Sequence, residues 1–316
     1  MEQPPVYSEE IKSFFKEISF NKDYYSYDNL FKNIKFRKSS FTNMKVLTPV
    51  EARRLCKYYH SGIKMIKYFD AFTKLYVITS TNYGSEMLNV SYFTDEDCTN
   101  NHRDDGPACF HYDDYNKIIL SYSWFKNNIP HRDGDLPQEV KIAKKYSTNH
   151  IYYYPHVVAY RKNGELHRNN NPAYIEFFNV YYTINNKTET VKMIKKLQWF
   201  VEGRGHNNNE QPSFVTFFSN YNNNTINMGC KIFKRNGDLH RFEGPAWIEK
   251  TWQEKIKYKR WYINGKRLDR RKFPYLENGK LKGNMLKDKG LILKTTLFDR
   301  EYGQFIRGII DSPKPS

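Results

Sequence analysis

Two His-Arg-Asp triplets contain the residue types of an acid–base or phosphoryl-transfer site. They are His102-Arg103-Asp104 and His131-Arg132-Asp133. A histidine titrates near neutral pH, an arginine binds phosphate, and an aspartate can accept a hydroxyl proton. The catalytic loop of a protein kinase also needs an asparagine five residues after the aspartate, together with a Gly-rich loop and an Asp-Phe-Gly segment. Cys109 and Gln138 occupy the two asparagine positions and neither segment is present, so the sequence does not predict a kinase.

The histidine of these triplets recurs in a fixed frame. The frame holds an aromatic residue, an Asn-Gly-type turn, a histidine seven residues after the aromatic, and a closing proline. Successive copies are 28 to 39 residues apart, so the motif is nearly rigid while the connections vary, as in repeated supersecondary units. A sixth copy keeps Trp261, Asn264-Gly265 and Pro274 but has Leu268 at the histidine position. The five copies with the histidine are centred on His102, His131, His167, His206 and His240.

We interpret the residues of this frame as structural. A catalytic centre is normally single and surrounds its titratable groups with distinct environments, whereas these residues repeat. Each histidine is expected to stack on a neighbouring aromatic ring or to bond a loop carbonyl. Each arginine is expected to cap carbonyls or to pair with a nearby acid. The repeat-structural set is His102, Arg103, His131, Arg132, His167, Arg168, His206, His240, Arg241, Pro107, Pro172 and Pro245.

No catalytic residue, metal site or cofactor is predicted. In a regular array, histidines of neighbouring units would lie two strand spacings apart, about 10 Å. Zinc–nitrogen bonds are about 2 Å long, so neighbouring histidines could not share one ion. The four cysteines include no Cys-x-x-Cys pair. We therefore do not expect an enzyme.

The segments between the motifs are predicted to form paired strands. A short apolar-rich run follows each proline, then a polar turn, then a second run that ends at the aromatic residue and Asn-Gly. Asn-Gly is the strongest short-range hairpin signal, because both residues of the turn require positive φ. The predicted fold is mainly β: tandem β-hairpin repeats forming an extended, twisted antiparallel sheet or solenoid, with a small helical N-terminal region and a C-terminal cap. A closed six-unit ring is the alternative.

Three regions follow from this reading. Residues 1–73 form a partly helical N-terminal cap, residues 74–276 the six-unit hairpin array, and residues 277–316 a basic C-terminal cap or tail. Residues 10–18 have helical spacing, with Ile11, Phe14, Phe15 and Ile18 on one side. Thr48-Pro49-Val50-Glu51 predicts a helix start with a capping box, and the helix could extend through Tyr59. Leu75–Thr81 is expected to be the first strand of the array.

The net charge of +17 supports a second interpretation. Basic residues stand beside aromatic ones near the end of the array, where aromatics could stack bases while cations hold phosphates. The alternative is that the aromatics form the buried face of a strand and the lysines its wet face, which the alternation in 255–259 fits. The candidate contacts to nucleic acid or an acidic partner are Lys255, Lys257, Lys259, Arg260, Lys266, Arg267, Arg270, Arg271 and Lys272.

The repeat resembles the MORN-like repeat proteins of giant DNA viruses of amoebae. The resemblance rests on the frame aromatic-aromatic-x-Asn-Gly-x-x-His-Arg-x-x-Gly-Pro-Ala. The best matches are residues 160–173, 233–246 and 102–108, and the repeats cover roughly residues 75–276. The resemblance implies a hairpin-repeat sheet used for contacts with proteins or membrane surfaces, and it brings no catalytic residues.

These observations predict a non-enzymatic repeat scaffold that mediates macromolecular, mainly protein–protein, interaction, with a viral structural or virus-factory protein as one candidate role. The alternative is a basic nucleic-acid-binding protein. We expect a protein partner, keep nucleic acid as the alternative partner, and expect no membrane partner, since no apolar run is long enough to span a bilayer. The expected location is intracellular: the cytoplasm of an infected host cell, a virus factory or a virion.

Overall fold

The computed structural model divides the chain into two compact units. The first comprises Met1–Pro5 and Lys12–Gly203, and the second comprises Val6–Ile11 and Arg204–Ser316. The structure describes residues 6–17, 30, 41–56, 61–82, 87–113, 118–147, 150–184, 187–207, 211–220, 225–241, 244–251, 253–268, 276–277 and 280–281.

Both predicted helices are present. The first, α1, spans Glu9–Glu17, and its apolar residues Ile11 and Phe14 are buried as the helical spacing predicts. The second, α2, spans Pro49–Leu55 and begins with the predicted capping box, in which the Thr48 hydroxyl accepts from the backbone N–H of Glu51. The expected extension through Tyr59 is wrong, because the chain leaves the helix at Cys56 with extended backbone angles. Ile18 and Tyr59 lie outside the described residues.

The first unit contains ten strands that pair in antiparallel fashion in the order β2-β3-β4-β5-β6-β7-β10-β11-β14-β15. The strand predicted at Leu75–Thr81 is present as β4, but it does not open the sheet, because β2 and β3 precede it. Five further two-residue strands lie between the long ones. The bounds are β2 Phe41–Val46, β3 Ile63–Asp70, β4 Leu75–Asn82, β5 Met87–Phe93, β6 Cys109–Asp113, β7 Ile118–Ser123, β8 Phe125–Lys126, β9 Ile129–Pro130, β10 Glu139–Ser147, β11 His150–Ala159, β12 Arg161–Lys162, β13 Glu165–Leu166, β14 Tyr174–Ile184, β15 Lys187–Gln198 and β16 Phe200–Val201.

One face of this sheet is the core of the first unit. Cross-strand partners share a face, and one continuous row of partners is apolar and between 0% and 3% exposed. Phe14 of α1 packs edge-on against the buried Trp199 ring, and Tyr122 donates a hydrogen bond to the carbonyl of Leu30. We call this the inner face. Its central row is Val90, Phe110, Tyr122, Val140, Val158, Ile175 and Leu197.

The opposite face of the first unit is polar, and we call it the outer face. Its residues alternate with the buried row along each strand. Ala159, Val157 and Glu176 are buried, and the other members of the two rows are half-exposed or exposed. The two rows are Ser91, Cys109, Ser123, Glu139, Ala159, Tyr174 and Gln198, and Asn89, His111, Ser121, Lys141, Val157, Glu176 and Lys196.

The second unit repeats the same construction on a smaller scale. Four strands pair in antiparallel order, β18-β19-β22-β23, β24 pairs back on β23, and β1 lies parallel to β19. The strands are β1 Val6–Tyr7, β17 Arg204–Gly205, β18 Phe214–Asn220, β19 Thr225–Ile232, β20 Lys234–Arg235, β21 Asp238–Leu239, β22 Trp247–Lys250, β23 Ile256–Ile263, β24 Lys266–Leu268, β25 Leu276–Glu277 and β26 Lys280–Leu281.

A β-bulge occurs at the same place in five long hairpins. The pairing register shifts directly after the fourth residue beyond each closing proline, namely at His111, Lys141, Glu176, Thr216 and Glu249. A bulge inserts one unpaired residue and increases the local twist. Because it recurs at one position of the frame, it is part of the repeated unit.

The fold class is confirmed: the described chain is mainly β and consists of antiparallel hairpin repeats in an open sheet with two helices. The Asn163-Gly164 and Asn236-Gly237 turns do not join the long strands. Each closes a separate, short hairpin of two two-residue strands, which follows the aromatic residue. Two such hairpins are β12–β13 and β20–β21. Their first turn residues have positive φ, 50° at both Asn163 and Asn236.

Candidate functional site

Every repeat histidine bonds the turn of the next repeat. In five places the histidine Nδ1 accepts a hydrogen bond, 3.1 to 3.2 Å long, from the backbone N–H of the positive-φ residue that opens the following turn. We call each such contact region a joint and name it by its histidine. The five donor–acceptor pairs are Asn127 to His102, Asn163 to His131, Glu202 to His167, Asn236 to His206, and Asn264 to His240.

This geometry selects one histidine tautomer. A ring nitrogen accepts a hydrogen bond only when it carries no proton, so the proton of the neutral ring must be on Nε2. In joints 102 and 131 the Nε2 atom lies 3.2 Å from Asp104 and 2.9 Å from Asp133, where an N–H can donate to the carboxylate. Joint 240 is the exception, because its Nδ1 atom lies 3.2 Å from the Asn264 N–H, which needs an unprotonated Nδ1, and 2.7 Å from the Asn264 side-chain oxygen, which needs a protonated one; its geometry does not select a tautomer. The aspartates of the two triplets thus orient the imidazole.

Two backbone hydrogen bonds complete each joint. The carbonyl directly before the histidine accepts from the N–H of the second turn residue, as in Gly164 to Pro130 at 2.8 Å and Gly265 to Leu239 at 2.9 Å. The N–H after the histidine donates to the carbonyl that follows the next aromatic residue, as in Arg168 to Phe200 at 3.0 Å. The unpaired backbone groups of one loop are therefore satisfied by the next hairpin.

The arginine, and not the histidine, stacks on the aromatic residue. The guanidinium carbon lies 3.7 to 4.4 Å from the ring centroid of the aromatic in its own repeat. The expected stacking of the imidazole on this aromatic residue is wrong, because the guanidinium covers the ring, and the bond shared by all five imidazoles goes to a turn N–H rather than to a carbonyl. The stacked pairs are Arg103 on Tyr92, Arg132 on Trp124, Arg168 on Tyr160 and Arg241 on Phe233.

The expected capping and acid pairing by arginine are confirmed. Arg132, Arg168 and Arg241 donate to the carbonyl of the closing proline, most closely from Arg132 to Pro137 at 2.8 Å. In joint 206 an asparagine replaces the arginine, and the Asn207 side chain donates to Pro212 at 2.8 Å. Arg103 pairs with an acid of its own loop, Asp105, at 2.7 Å.

The closing prolines precede buried small residues. Ala108, Ala173 and Ala246 follow Pro107, Pro172 and Pro245, and all three alanines are fully buried. The N–H of the aromatic residue donates to each alanine carbonyl at 2.8 Å, for example Tyr160 to Ala173. A larger side chain would have to displace this packing, so the small residue is part of the joint.

Sequence reasoning missed one aromatic member of the joints. Tyr92 precedes His102 by ten residues rather than seven, yet the His102 N–H donates to the Tyr92 carbonyl and Arg103 stacks on the Tyr92 ring. Cys98 and its neighbours form the longer connection. Tyr92 lies near the end of a strand-like run. A search for an aromatic residue at that position, without the requirement of a seven-residue spacing, would have identified it.

Burial sets the charge state of the reactive side chains. It raises the pKa of the Cys98 and Cys230 thiols to about 11 and also raises the pKa of Cys109, so these thiols are protonated near neutral pH. Burial likewise lowers the pKa of His240, which favours the neutral imidazole that its joint requires. Among the described residues, no group of three or more His, Cys, Asp or Glu side chains is arranged to hold a metal ion.

The described candidate basic contacts lie on or next to strands β23 and β24 of the second unit. Lys257, Lys259 and Arg260 lie on β23, Lys255 directly precedes it, and Lys266 and Arg267 lie on β24. Arg270, Arg271 and Lys272 lie outside the described residues. The expectation of a buried aromatic face is wrong for Tyr258, which is half-exposed, because the bulge next to Lys257 interrupts the alternation.

Comparison with known proteins yields no relative. No protein-family model, no curated protein and no solved structure matches the chain. The resemblance to MORN-like repeats stays a prediction. Within the part of the chain that the structure describes, neither helix has the length and apolar character needed to cross a bilayer.

Proposed function

We propose that the protein is a non-enzymatic repeat scaffold that holds another macromolecule, most directly a protein, on the outer face of its first unit. The observation that carries the proposal is the identity of the five joints. Each histidine makes the same bond to the following turn. Side chains that all perform one architectural task are poor candidates for a single reactive centre.

The state of the remaining nucleophiles agrees with this proposal. Three thiols are held protonated by burial, and a protonated thiol is a weak nucleophile. The His131–Asp133 pair looks like a catalytic dyad, but its Nδ1 is already bonded to the backbone of Asn163. The pair therefore has no free ring nitrogen with which to take a substrate proton.

The outer face has the chemistry of a polar protein interface. Glu139 and Lys141 form an ion pair of 2.7 Å, and Lys196 pairs with Glu176 at 2.9 Å while lying 4.7 Å from the centre of the Tyr174 ring. Tyr174 is of a residue type that is enriched at protein interfaces, and the small polar groups and paired charges around it suit the polar rim of such an interface. Since the joints fix the spacing of the strands, they also fix the spacing of these groups. The predicted MORN-like resemblance, which is also the only basis for a viral setting, supports the same use.

A charge-swap experiment tests this proposal. Tagged wild-type protein and the double variant Glu139→Lys with Lys141→Glu are used to recover partners from the native source. The swap keeps the net charge and the ion pair but reverses the pattern of the outer face, so we expect a protein that co-purifies with the wild type to be lost.

The matched control is a second swap that also preserves net charge, Lys126→Glu with Glu165→Lys, on two exposed hairpin residues away from the outer face. It should keep the partner. Equal recovery by the wild type and both variants, or no co-purifying protein at low salt, would refute the proposal.

A further inference from the structure

We propose that the second unit binds single-stranded nucleic acid on one face of its sheet. The face is formed by Phe214, Ile232, Trp247, Tyr258 and Arg260, and we call it the Trp247 face. Bases would stack on its aromatic rings, and Arg260 together with Lys257 would hold phosphates. This adds a ligand of a different class, on a different unit, to the protein-binding role proposed for the first unit.

Strand register places these residues side by side. Phe214 pairs with Ile232, Ile232 with Trp247, and Trp247 with Arg260, so the row crosses four neighbouring strands. Tyr258 lies two residues before Arg260 and therefore on the same face. Paired positions lie one strand spacing apart, about 4.8 Å, so the row is long enough for several bases.

The rings on this face are half-exposed, unlike the ring at the joint, although the indole Nε1 of Trp247 is itself buried. All five residues of the Trp247 face are half-exposed, whereas Phe233 of joint 240 is 4% exposed and covered by Arg241. Trp247 and Tyr258 meet edge to face, with centroids 6.2 Å apart. Sheet-borne aromatic rings of this kind are the platforms on which proteins stack unpaired bases.

The charge on this face is also suitable. The Arg260 guanidinium lies over both rings, 5.3 Å from the Trp247 centroid and 5.1 Å from the Tyr258 centroid, so a base that stacks on either ring would meet this cation. The carboxylate Glu249 shares the face, but Lys257 bonds it at 3.1 Å and lies 5.1 Å from the Tyr258 ring. Lys255 directly precedes the strand and is exposed. A line of cations beside aromatic rings provides the backbone contacts that single strands require.

On the opposite face of the same strands, two lysines are paired with an acidic residue of α1. Lys231 and Lys250 both bond the Glu10 carboxylate, at 2.9 and 2.8 Å. Val215 on that face is fully buried. On that face both lysines share one carboxylate beside a buried valine. The Trp247 face also has one paired lysine, Lys257, but it adds Arg260 on half-exposed rings, so it is the better candidate.

The test measures binding of the full-length protein to a fluorescent oligothymidylate of about 16 nucleotides, the upper end of known site sizes. Anisotropy is recorded at several salt concentrations. We expect the logarithm of the binding constant to fall linearly with the logarithm of the salt concentration. Trp247→Leu should weaken it about 5- to 150-fold, the usual range for loss of one stacking ring, and Trp247→Phe should restore most of it.

Charge variants separate phosphate contacts from general attraction. Lys257→Ser and Arg260→Ser should each reduce the salt slope by about 0.7, the value for one contact to a single strand. Lys259→Ser, on the opposite face of the same strand, is the matched control and should change the slope less. Circular dichroism of each variant checks that the sheet is retained.

Three results would overturn the inference. One is the absence of binding at low salt. Another is binding that Trp247→Leu leaves unchanged while the sheet remains folded. The third is equally tight binding of heparin, a polyanion without bases, which would identify a general acidic-partner surface. Each can occur whether or not a protein partner binds the first unit, so failure here is distinct from failure of the scaffold proposal.

Discussion

Replacing Phe233 by alanine should lower the free energy of unfolding of the second unit by about 3–5 kcal/mol, the usual cost of removing a buried phenylalanine side chain. The ring is 4% exposed and carries the Arg241 guanidinium 3.7 Å above its centre. The variant would leave both a cavity and an arginine without its stacking surface. Chemical denaturation followed by tryptophan fluorescence and circular dichroism measures the change.

The control for this prediction is the same substitution at an exposed position. Phe72 lies in a turn and is 59% exposed, so Phe72→Ala should change stability by no more than about 0.5 kcal/mol. Equal effects of the two substitutions would show that Phe233 is not part of a packed joint.

The second large effect is expected for His240→Ala. His240 is 6% exposed and its Nδ1 accepts from the Asn264 N–H at 3.2 Å. Removing the acceptor of a partly buried donor should cost about 1–3 kcal/mol near pH 7.5. His156→Ala is the matched control, because His156 is the exposed, unpaired residue of a bulge, and its effect should stay within about 0.5 kcal/mol.

The cost of His240→Ala should also depend on pH. Burial lowers the pKa of His240 in the folded protein, so the unfolded chain binds the proton more readily. The contribution of the imidazole is therefore complete above the ordinary histidine pKa, about 6.5, and decreases as the pH falls through that value. A difference between wild type and variant that grows on acidification would contradict this assignment.

The position of the joints could be predicted because their parts are close in sequence. The histidine follows the aromatic residue by seven positions, and the short hairpin between them brings the two backbones together. The His131 N–H, for example, donates to the Trp124 carbonyl at 3.2 Å. Asn163-Gly164 and Asn236-Gly237 signal turns, because asparagine and glycine tolerate the positive φ found there. Local rules of this kind are visible in one repeat.

The partners of the joints could not be predicted, because they belong to the next repeat. The bond from Glu202 to His167 joins residues 35 apart in sequence, and nothing in either repeat marks the other as its partner. Glu202 even lacks the asparagine that the other turns share. The bulges were also hidden, since their positions carry unrelated residues such as His111 and Thr216. The shift at Lys257 places Ile256 and Tyr258 on opposite faces, which alternation alone would not predict.

The most direct test of the account is the tautomer of the joint histidines. Long-range proton–nitrogen NMR correlation of protein carrying nitrogen-15 histidine, near pH 8, distinguishes a protonated Nε2 from a protonated Nδ1. Single His→Gln variants assign the signals of His102, His131, His167 and His206. We expect a protonated Nε2 and an accepting Nδ1 in all four. Protonation at Nδ1 would remove the acceptor from the joints and contradict the account.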